Sequence, residues 1–416
     1  MRFFRHKTAH SAPVRRRPSL DFSLVGLVYC CMMMFMGMAA INSGANLLYG
    51  VFGLMIGVLI IAGMLSKRVL RKLNVHRVLP DHAVVGLPAR IVYQFRNGKR
   101  FFPSLSVTVS ELDGAEGFTK QPQAYMLHAA AGMTASVPTE VIPRRRGLHH
   151  LDRFQISTSF PFGFVKRAVT ERQSDRLLVY PPIGAVDKAV MTLCRAADKT
   201  GASMRPRQGG QDEFYGVKEH RPGDNPRHIN WKRSARTAAT GLLVAREMTQ
   251  VAPPRLLLLV DTWLGDGSPE AAARVERAVA MGATIVDSAI EQDLSVGMLA
   301  WDNGWKRLEA SRGKRHRGDL LSALARLPTN ALATTSQLMD EGLRHVRNGA
   351  TAVLLTPKEL PMGMDRQHRG ALVVMPADDP QVRKWFTFER QVDLWAFAPV
   401  LAPTVAAGSA GSRPGQ

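Results

Sequence analysis

The chain has 416 residues, which is enough for two or three domains. Lys and Arg number 55 against 34 Asp and Glu, so the formal net charge is +21 and indicates a polyanionic partner: nucleic acid, anionic lipid or an acidic protein. Three cysteines are too few for a disulfide framework, which excludes the small disulfide-rich secreted proteins and fits a reducing compartment.

Two uncharged apolar runs near the amino terminus predict a membrane hairpin at 22–65. The runs cover 22–41 and 47–65. Each is about 20 residues long, or roughly 30 Å as a helix, which matches the hydrocarbon thickness of a bilayer. A cleaved signal peptide is the alternative for the first run. That run is long for a signal peptide, however, and no small-residue cleavage site precedes the second run.

The charges that flank the two runs predict their orientation. The first eighteen residues contain six Lys or Arg and no acid, and SKRVLRK at 66–72 is basic too. The NSGAN turn between the runs is uncharged. By the positive-inside rule, a basic tail at 1–21 and everything after the hairpin lie in the cytoplasm, with membrane lipid as a partner.

Residues 74–182 change to a period-two pattern. ARIVYQFRN places Ile91, Tyr93 and Phe95 on one face, and SLSVTVSEL, DRFQISTSF and RLLVYPP follow the same alternation. Turn residues separate these runs, so the pattern predicts an antiparallel, β-sandwich-like middle domain of short strands. The charged segment PRRRGLHH at 143–150 is interpreted as solvated surface, with a partner contact as the alternative.

The carboxyl-terminal part, 205–398, alternates strands with helices. PRLLLLVD, which ends at Asp261, is a continuous apolar run typical of a strand buried on both faces. Ser268 and Pro269 suit the cap and first position of a following helix. Further strands (LSVGMLAWD, TAVLLT, GALVVMP, VDLWAF) alternate with helices (DLLSALARL, SQLMDEGLRHV), which predicts an α/β domain with a mostly parallel sheet. The tail at 399–416 is predicted to be disordered.

A dense motif occupies 212–247: DEFYGVKEHRPGDNPRHINWKRSARTAATGLLVARE. Gly223 predicts a turn, after which Asp224 is placed to cap a helix that begins near Asn225. Helical spacing predicts that Trp231 anchors this helix on the body while a cationic edge faces outward. The candidate partner-binding residues of the motif are Gly223, Asp224, Arg227, Trp231, Lys232, Ser234, Arg236 and Glu247.

These residues resemble the signature of the domain-of-unknown-function 58 family. GDNPRHINWKRSAR, followed by LLVARE and a hydrophobic strand ending in Asp, carries the resemblance, and DEFYGVKEHRP, TSFPFGFVKR and LLVYPP are similar to upstream segments. Lys218 and His220 depart from it, since the family often has Arg and Tyr there. The resemblance implies a von Willebrand factor A-like carboxyl-terminal body and a MoxR-type AAA+ ATPase partner. No reaction is established for the family.

A von Willebrand factor A-like fold raises the question of a Mg²⁺ site. That site needs hard oxygen ligands: an Asp-x-Ser-x-Ser run, a later Thr and a later Asp. Here the run is DTWLG, so both serines are missing, and Thr334 or Thr335 is left as the later Thr. Thr356 stands where the later Asp belongs. Only Asp261 remains as a firm ligand, so the sequence predicts a degenerate site and neither a metal nor another cofactor.

Three function classes remain. The leading hypothesis is a membrane-anchored interaction or adaptor protein of the bacterial inner (cytoplasmic) membrane, multi-pass with both termini cytoplasmic, that works with the AAA+ ATPase. The alternative is an enzyme of unknown reaction and substrate that uses the 221–236 motif, although zinc spacings and a nucleophile elbow are missing. The spacing of Asp224, Glu247 and His220 does not demand acid–base chemistry. A basic nucleic-acid-binding protein is the third class, but no aromatic platform favours it, so no nucleic acid is expected.

Overall fold

A computed structural model describes residues 17–196, 213–221, 226–236, 243–249, 255–265, 268–346, 351–360 and 372–388. The chain divides into two compact units, residues 1–181 and 182–416. The helix pair and the antiparallel strands lie in the first unit, and the alternating strands and helices lie in the second.

Two long apolar helices open the first unit. α1 spans Leu24–Ser43 and α2 spans Asn46–Leu70. Both are long and apolar enough to cross a bilayer, and only 17% and 6% of their most apolar windows are buried. A core helix of a soluble protein would be mostly buried, so these two helices could instead anchor the chain in a membrane. Ser23 caps α1 by accepting a hydrogen bond from the Gly26 amide at 3.1 Å.

Antiparallel strands make up the rest of the first unit, as the period-two pattern predicts. The described strands are β1 (Arg17–Phe22), β2 (Leu73–Val78), β3 (Ala83–Val84), β4 (Ala89–Asn97), β5 (Ser104–Glu111), β6 (Gln123–Ala129), β7 (Thr134–Val141), β8 (Gly147–Thr158) and β9 (Val165–Tyr180). One sheet has the order β1-β9-β8-β5-β6, with the short β3 parallel to β9, and the other has the order β2-β4-β7. Their side chains share one core, in which Tyr93 and Phe95 of the smaller sheet meet Val109 and Phe154 of the larger. At 12 and 16 residues, β8 and β9 are longer than the short strands expected.

β1 differs from the sequence analysis, which assigned residues 17–21 to a basic tail and Phe22 to the hairpin. Arg17–Phe22 pair antiparallel with 165–170 of β9. β1 lies just before α1, while β9 belongs to the strands that follow α2. Both ends of the helix pair are therefore joined to one β body, and the chain must enter and leave the pair on the same side of it.

A buried charged cluster connects the two sheets of this body. Arg77 of β2 is 2% exposed, and its Nη1 lies 2.6 Å from Glu111 Oε2 on β5. Tyr93 Oη donates to the other oxygen of Glu111 at 2.6 Å. Arg77 Nε also donates to Asp175 Oδ2 at 3.1 Å. Buried charges are tolerated where they are paired and hydrogen bonded in this way.

The second unit is a mixed α/β body, as predicted. Its described elements are β10 (Ala185–Val186), α3 (Lys188–Ala196), β11 (Glu213–Glu219), α4 (Trp231–Arg236), β12 (Val244–Thr249), β13 (Arg255–Val260), α5 (Pro269–Glu291), β14 (Ser295–Trp301), β15 (Trp305–Ser311), α6 (Lys314–Arg326), α7 (Thr335–Val346), β16 (Thr351–Thr356), β17 (Leu372–Pro376), α8 (Pro380–Lys384) and β18 (Phe386–Thr387). The main sheet has the order β15-β14-β13-β16-β17, parallel except for the edge strand β15. The predicted strand VDLWAF and the tail 399–416 lie outside the described residues.

Helices cover both faces of this sheet. Gly282 of α5 lies against Leu258 and Leu355, and a Cβ at this position would stand 3.0 Å from the Leu355 side chain. On the opposite face, Leu338 of α7 packs in one cluster with Leu257 and other strand residues. Ser268 caps α5 by accepting from the Ala271 amide at 3.1 Å, and Pro269 occupies the first helical position, so the predicted cap is confirmed.

Candidate functional site

The motif residues form a two-stranded sheet that carries a short helix. β11 and β12 pair antiparallel, and a turn of 3₁₀ helix at Pro226–His228 precedes α4. Helical structure thus begins at Pro226, close to the predicted start near Asn225, but it is interrupted before α4 begins at Trp231, so the single continuous helix that was predicted is not formed. Asn230 caps the helix: its Oδ1 accepts from the Arg233 amide at 3.3 Å, and its carbonyl accepts from the Ser234 amide at 2.9 Å. The predicted cap Asp224 and turn residue Gly223 lie outside the described residues.

Ser234 fastens α4 to β12. It is 6% exposed, and its Oγ accepts a hydrogen bond from the Val244 amide at 2.9 Å. The Asn230 amide donates to the Val244 carbonyl at 2.8 Å. Trp231 is 66% exposed, so the prediction that it anchors the helix is wrong. α4 has only six residues, and its single buried position is taken by a serine that hydrogen bonds to the neighbouring strand.

The outward side of α4 presents aromatic and cationic side chains. We define the α4 surface by its exposed residues Trp231, Lys232, Arg233 and Arg236. Arg227, in the preceding turn, is also exposed. Exposed Trp and Arg are typical of protein contact surfaces, because they bury a large area and form several hydrogen bonds on binding. The side chain of Glu247, the last candidate residue, is not among those described.

Asp261 lies at the carboxyl edge of the main sheet, directly after β13. It is 2% exposed. Its Oδ2 accepts from Thr335 Oγ1 at 2.6 Å and from Thr356 Oγ1 at 3.3 Å. Its Oδ1 accepts from the Trp263 amide at 2.9 Å. The structure therefore brings together the acid and two of the threonines that the sequence analysis considered for a Mg²⁺ site.

Burial dominates the electrostatics of Asp261. Burial raises the pKa of Asp261, and the hydrogen bonds from Thr335, Trp263 and Thr356 offset only part of that effect. The two threonine hydroxyls are oriented as donors to the carboxylate. Across the described residues no three His, Cys, Asp or Glu side chains are grouped as metal ligands. An octahedral set of oxygen ligands for Mg²⁺ does not fit this arrangement.

A lysine amine borders the Asp261 loop. Gly265 has a positive φ of 75°, and Lys358 Nζ lies 2.9 Å from the position that a Cβ on Gly265 would take. Thr356 Oγ1 lies 3.0 Å from the Lys358 carbonyl and within hydrogen-bonding reach of Asp261. Sequence reasoning missed Lys358, although its place two residues after a buried strand end was an available signal.

An open groove between β15 and α7 was also missed. Its volume is about 380 Å³, and its floor contains Trp301 and Trp305, stacked edge to face with ring centroids 5.1 Å apart. The α7 side supplies Asp340 and Glu341. Arg344 pairs with Glu341 at 3.0 Å. Tryptophans four positions apart around a hairpin were a signal for this groove, but the acids come from a helix distant in sequence.

The segment PRRRGLHH is only partly the solvated surface expected. Arg144 and His150 are exposed. His149 is half-buried, and its Nε2 lies 2.8 Å from the Arg145 carbonyl. Burial lowers the pKa of His149, which keeps this imidazole neutral in the physiological range. His149 therefore contributes a hydrogen bond within the loop and is not part of a charged surface.

Comparison with known proteins identifies one family. Residues 216–370 match the model of the family described as "Protein of unknown function DUF58". No curated protein matches the chain. Among solved structures, a GH20 exo-β-N-acetylglucosaminidase from Vibrio harveyi in complex with N-acetylglucosamine is 8% identical, over 68% of this chain and 57% of that chain, with a TM-score of 0.16. The chain thus spans a little over half of that enzyme, and so low a TM-score carries no argument about fold or activity.

Proposed function

Because residues 216–370 form a DUF58 domain, we propose that the protein is a membrane-anchored interaction protein that presents this domain to a partner. The α1–α2 pair would be the anchor, and the basic flanks favour the cytoplasm as the location of both units. The proposed partner is a MoxR-type AAA+ ATPase, as the family resemblance implies. The strand order of the main sheet, with its antiparallel edge strand, supports a von Willebrand factor A-like scaffold. The core shared by the two sheets of the first unit supports a β-sandwich.

The observation that carries the proposal is the construction of α4. Ser234 holds the helix to β12 by a partly buried hydrogen bond, while Trp231, Lys232 and Arg236 remain exposed. Trp is highly buried on average in folded proteins, and Trp and Arg are enriched at protein contact surfaces. A cationic and aromatic surface on a rigid support suits a partner surface rich in carboxylates, since Arg and Trp dominate such contacts.

A second candidate function, catalysis by the 221–236 motif, is favoured by one observation. His220 Nε2 is buried without a hydrogen-bond partner among the described residues. An imidazole nitrogen without a partner is suited to act as a general base once a substrate is bound. The other groups invoked for this chemistry do not strengthen it: Asp224 and the Glu247 side chain lie outside the described set.

A capture experiment tests the interaction proposal. Full-length protein with Lys232→Ala and Arg236→Ala would be purified in mild detergent together with the candidate ATPase. The matched control is Lys314→Ala with Arg315→Ala, which removes two exposed cations from α6. We expect capture to weaken only in the α4 variant. Equal capture by both variants would show that the docking surface lies elsewhere. Loss of a hydrolytic activity in a His220→Gln variant would favour the enzyme instead.

A further inference from the structure

Hydrogen bonds attach α2 to one end of the β body. Lys99 Nζ donates to the Val69 carbonyl at 2.7 Å and to Ser104 Oγ at 2.7 Å, which ties the last turn of α2 to the start of β5. The Gly98 amide donates to the Lys72 carbonyl at 2.9 Å. A cation at the carboxyl end of a helix is stabilising, so these hydrogen bonds attach the end of α2 to the β body.

α1 is held to the same end of the body by the loop between β8 and β9. The Ser23 amide donates to the Phe164 carbonyl at 3.1 Å, and Gly26 leaves room for that carbonyl, which a Cβ would displace. The ring of Phe164 stacks on Tyr29 with centroids 4.2 Å apart. Tyr29 is about 8 Å along the axis from the start of α1, at 1.5 Å per residue. The loop therefore reaches the level of the apolar part of the helix.

Large apolar side chains project from the loops at this end. Phe101 is 83% exposed, Phe162 is 51% exposed, and Met133 is 63% exposed. The Asn97 amide donates to the Met133 carbonyl at 3.0 Å, which joins two of these loops. The other pair of loops lies at the same end of the larger sheet, because the start of β5 pairs antiparallel with the end of β8, with Val107 opposite Thr158. Exposed aromatic side chains grouped in this way mark an interaction site.

The charge around these side chains is predominantly positive, although Asp21 of β1 lies opposite Lys166 of β9. The segments 66–72, 97–102 and 159–168 contain eight Lys or Arg and no Asp or Glu. The guanidinium of Arg100 lies 5.0 Å from the centroid of the Phe101 ring. An apolar tip surrounded by cations is the combination that binds at the interface of an anionic bilayer, where the rings enter the headgroup layer and the cations meet phosphates.

We propose that this end of the β body lies against an anionic lipid surface, with Phe101, Met133 and Phe162 inserted between the headgroups. The inference rests on the proposed membrane anchoring by α1 and α2. The membrane contact is then an extended one, in which the hairpin and the loops 97–103, 130–133 and 159–164 act together. Such a contact fixes the tilt of the first unit, which a flexible tether would leave free.

Single-cysteine labelling tests the contact. The full-length chain would carry Ala in place of Cys30, Cys31 and Cys194, and would be reconstituted in nanodiscs containing phosphatidylglycerol. A fluorophore would be placed by Phe101→Cys or Phe162→Cys. Its quenching by a lipid-borne nitroxide and by aqueous iodide would then be compared.

Two further labelling positions distinguish failure of the lipid contact from failure of the membrane anchoring. Leu54→Cys, 69% exposed on α2, reports anchoring itself. Leu148→Cys, 38% exposed, is the matched control near the opposite end of the 12-residue β8, about 30 Å away.

We expect lipid quenching at Phe101→Cys and Phe162→Cys to be several-fold stronger than at Leu148→Cys and to approach that at Leu54→Cys. It should decrease when the anionic lipid is replaced by phosphatidylcholine. Lipid quenching at Leu54→Cys alone would overturn the inference and leave the anchoring intact. No lipid quenching at Leu54→Cys would overturn both. Protection from iodide without lipid quenching would assign the surface to a protein contact instead.

Discussion

Thr335 donates a hydrogen bond of 2.6 Å to the Asp261 carboxylate, although 74 residues separate the two. Asp261 directly follows the central strand β13, and Thr335 begins α7. Thr356, at the end of β16, donates to the same oxygen at 3.3 Å. Each hydroxyl can donate only one hydrogen bond at a time, and Thr356 has a second, closer acceptor in the Lys358 carbonyl at 3.0 Å, so Thr335 is the firmer donor to the carboxyl. The cluster joins three elements at the edge of the sheet, where α/β proteins usually bind ligands.

Replacement of Asp261 by Asn should change how stability depends on pH. Since burial raises the pKa of Asp261, the folded chain binds a proton more readily than the unfolded chain between their two pKa values. The contribution of this group to the free energy of unfolding is therefore largest in acid and falls as pH rises through that window. Asp261→Asn should abolish this fall and be at least as stable as the wild type at pH 7.

Thermal melts of the detergent-solubilised protein across the acidic to neutral range would measure this dependence. Asp319→Asn, which removes an exposed carboxyl from α6, is the control and should leave the profile unchanged. A large loss of stability in Asp261→Asn at pH 7 would contradict the interpretation and show that the folded protein needs the ionised carboxylate.

Removal of the Thr335 hydroxyl should be costly only while the carboxyl is present. Thr335→Val leaves a buried oxygen without its shortest hydrogen bond, which costs about 1–3 kcal/mol. In an Asp261→Leu background the same change removes no such bond and should cost much less. A double-mutant cycle based on denaturant unfolding measures the coupling. Additive effects of the two changes would show that the hydrogen bond adds no stability.

Local signals in the sequence predicted much of the second unit. The apolar run before Asp261 is a central strand, and Ser268 with Pro269 caps the next helix. Both features depend on adjacent residues, which is why a single sequence suffices. The meeting of Asp261 with Thr335 and Thr356 was only partly foreseen. The sequence analysis considered these three residues together for a Mg²⁺ site, but which hydroxyls reach the carboxyl depends on packing between distant segments.

The errors in the motif have a physical cause as well. Projection of α4 onto a helical wheel assumed a helix from Asn225 and gave Trp231 the inward face. The helix is only six residues long, and Ser234 rather than Trp231 faces the neighbouring strand β12. β1 was missed because Arg17–Phe22 is short and includes Pro18, which disfavours a strand. Its pairing with β9 is a tertiary interaction that local propensity does not encode.

The Arg77 cluster should dominate the stability of the β body. Arg77→Met leaves Glu111 fully buried without its cation, and such a loss costs about 3–5 kcal/mol. Burial already raises the pKa of Glu111, and the loss of Arg77 removes an opposing influence, so that pKa should rise further. The destabilisation should therefore be smaller in acid, where Glu111 is protonated, than at neutral pH.

Melting temperatures of Arg77→Met at acidic and neutral pH measure this difference. Arg153→Met is the control, because it breaks an ion pair with Asp113 in which Arg153 is about half exposed, and it should lower the melting temperature far less. Addition of Glu111→Leu should restore much of the stability of Arg77→Met. An equally unstable double variant would show that packing, rather than the uncompensated charge, is responsible.

The exposed and the buried positions of α4 should respond differently to mutation. Trp231→Ala changes an exposed side chain, so the free energy of unfolding should change by no more than about 0.5 kcal/mol. Ser234→Ala removes the acceptor of the Val244 amide and should cost about 1–3 kcal/mol. Capture of the proposed partner should weaken in Trp231→Ala despite its normal melting temperature. Leu332→Ala, at an 82% exposed site, is the control for both measurements. If the Trp231→Ala variant instead melts at a lower temperature, Trp231 does anchor the helix.

The pairing of β1 with β9 makes a sharp prediction about topology. Leu20 precedes α1 and Leu148 follows α2, yet the β sheet joins their strands on one side of the helix pair. In a chain without native cysteines, Leu20→Cys and Leu148→Cys should both be protected from a membrane-impermeant maleimide in intact cells. Ser43→Cys, at the end of α1, should react. The basic flanks place the protected side in the cytoplasm, so lysis should expose both residues together. Labelling of Leu20→Cys but not of Leu148→Cys in intact cells would contradict the prediction that α1 and α2 cross the membrane as a hairpin. A mature chain that lacks residue 20 would instead identify α1 as a cleaved signal sequence.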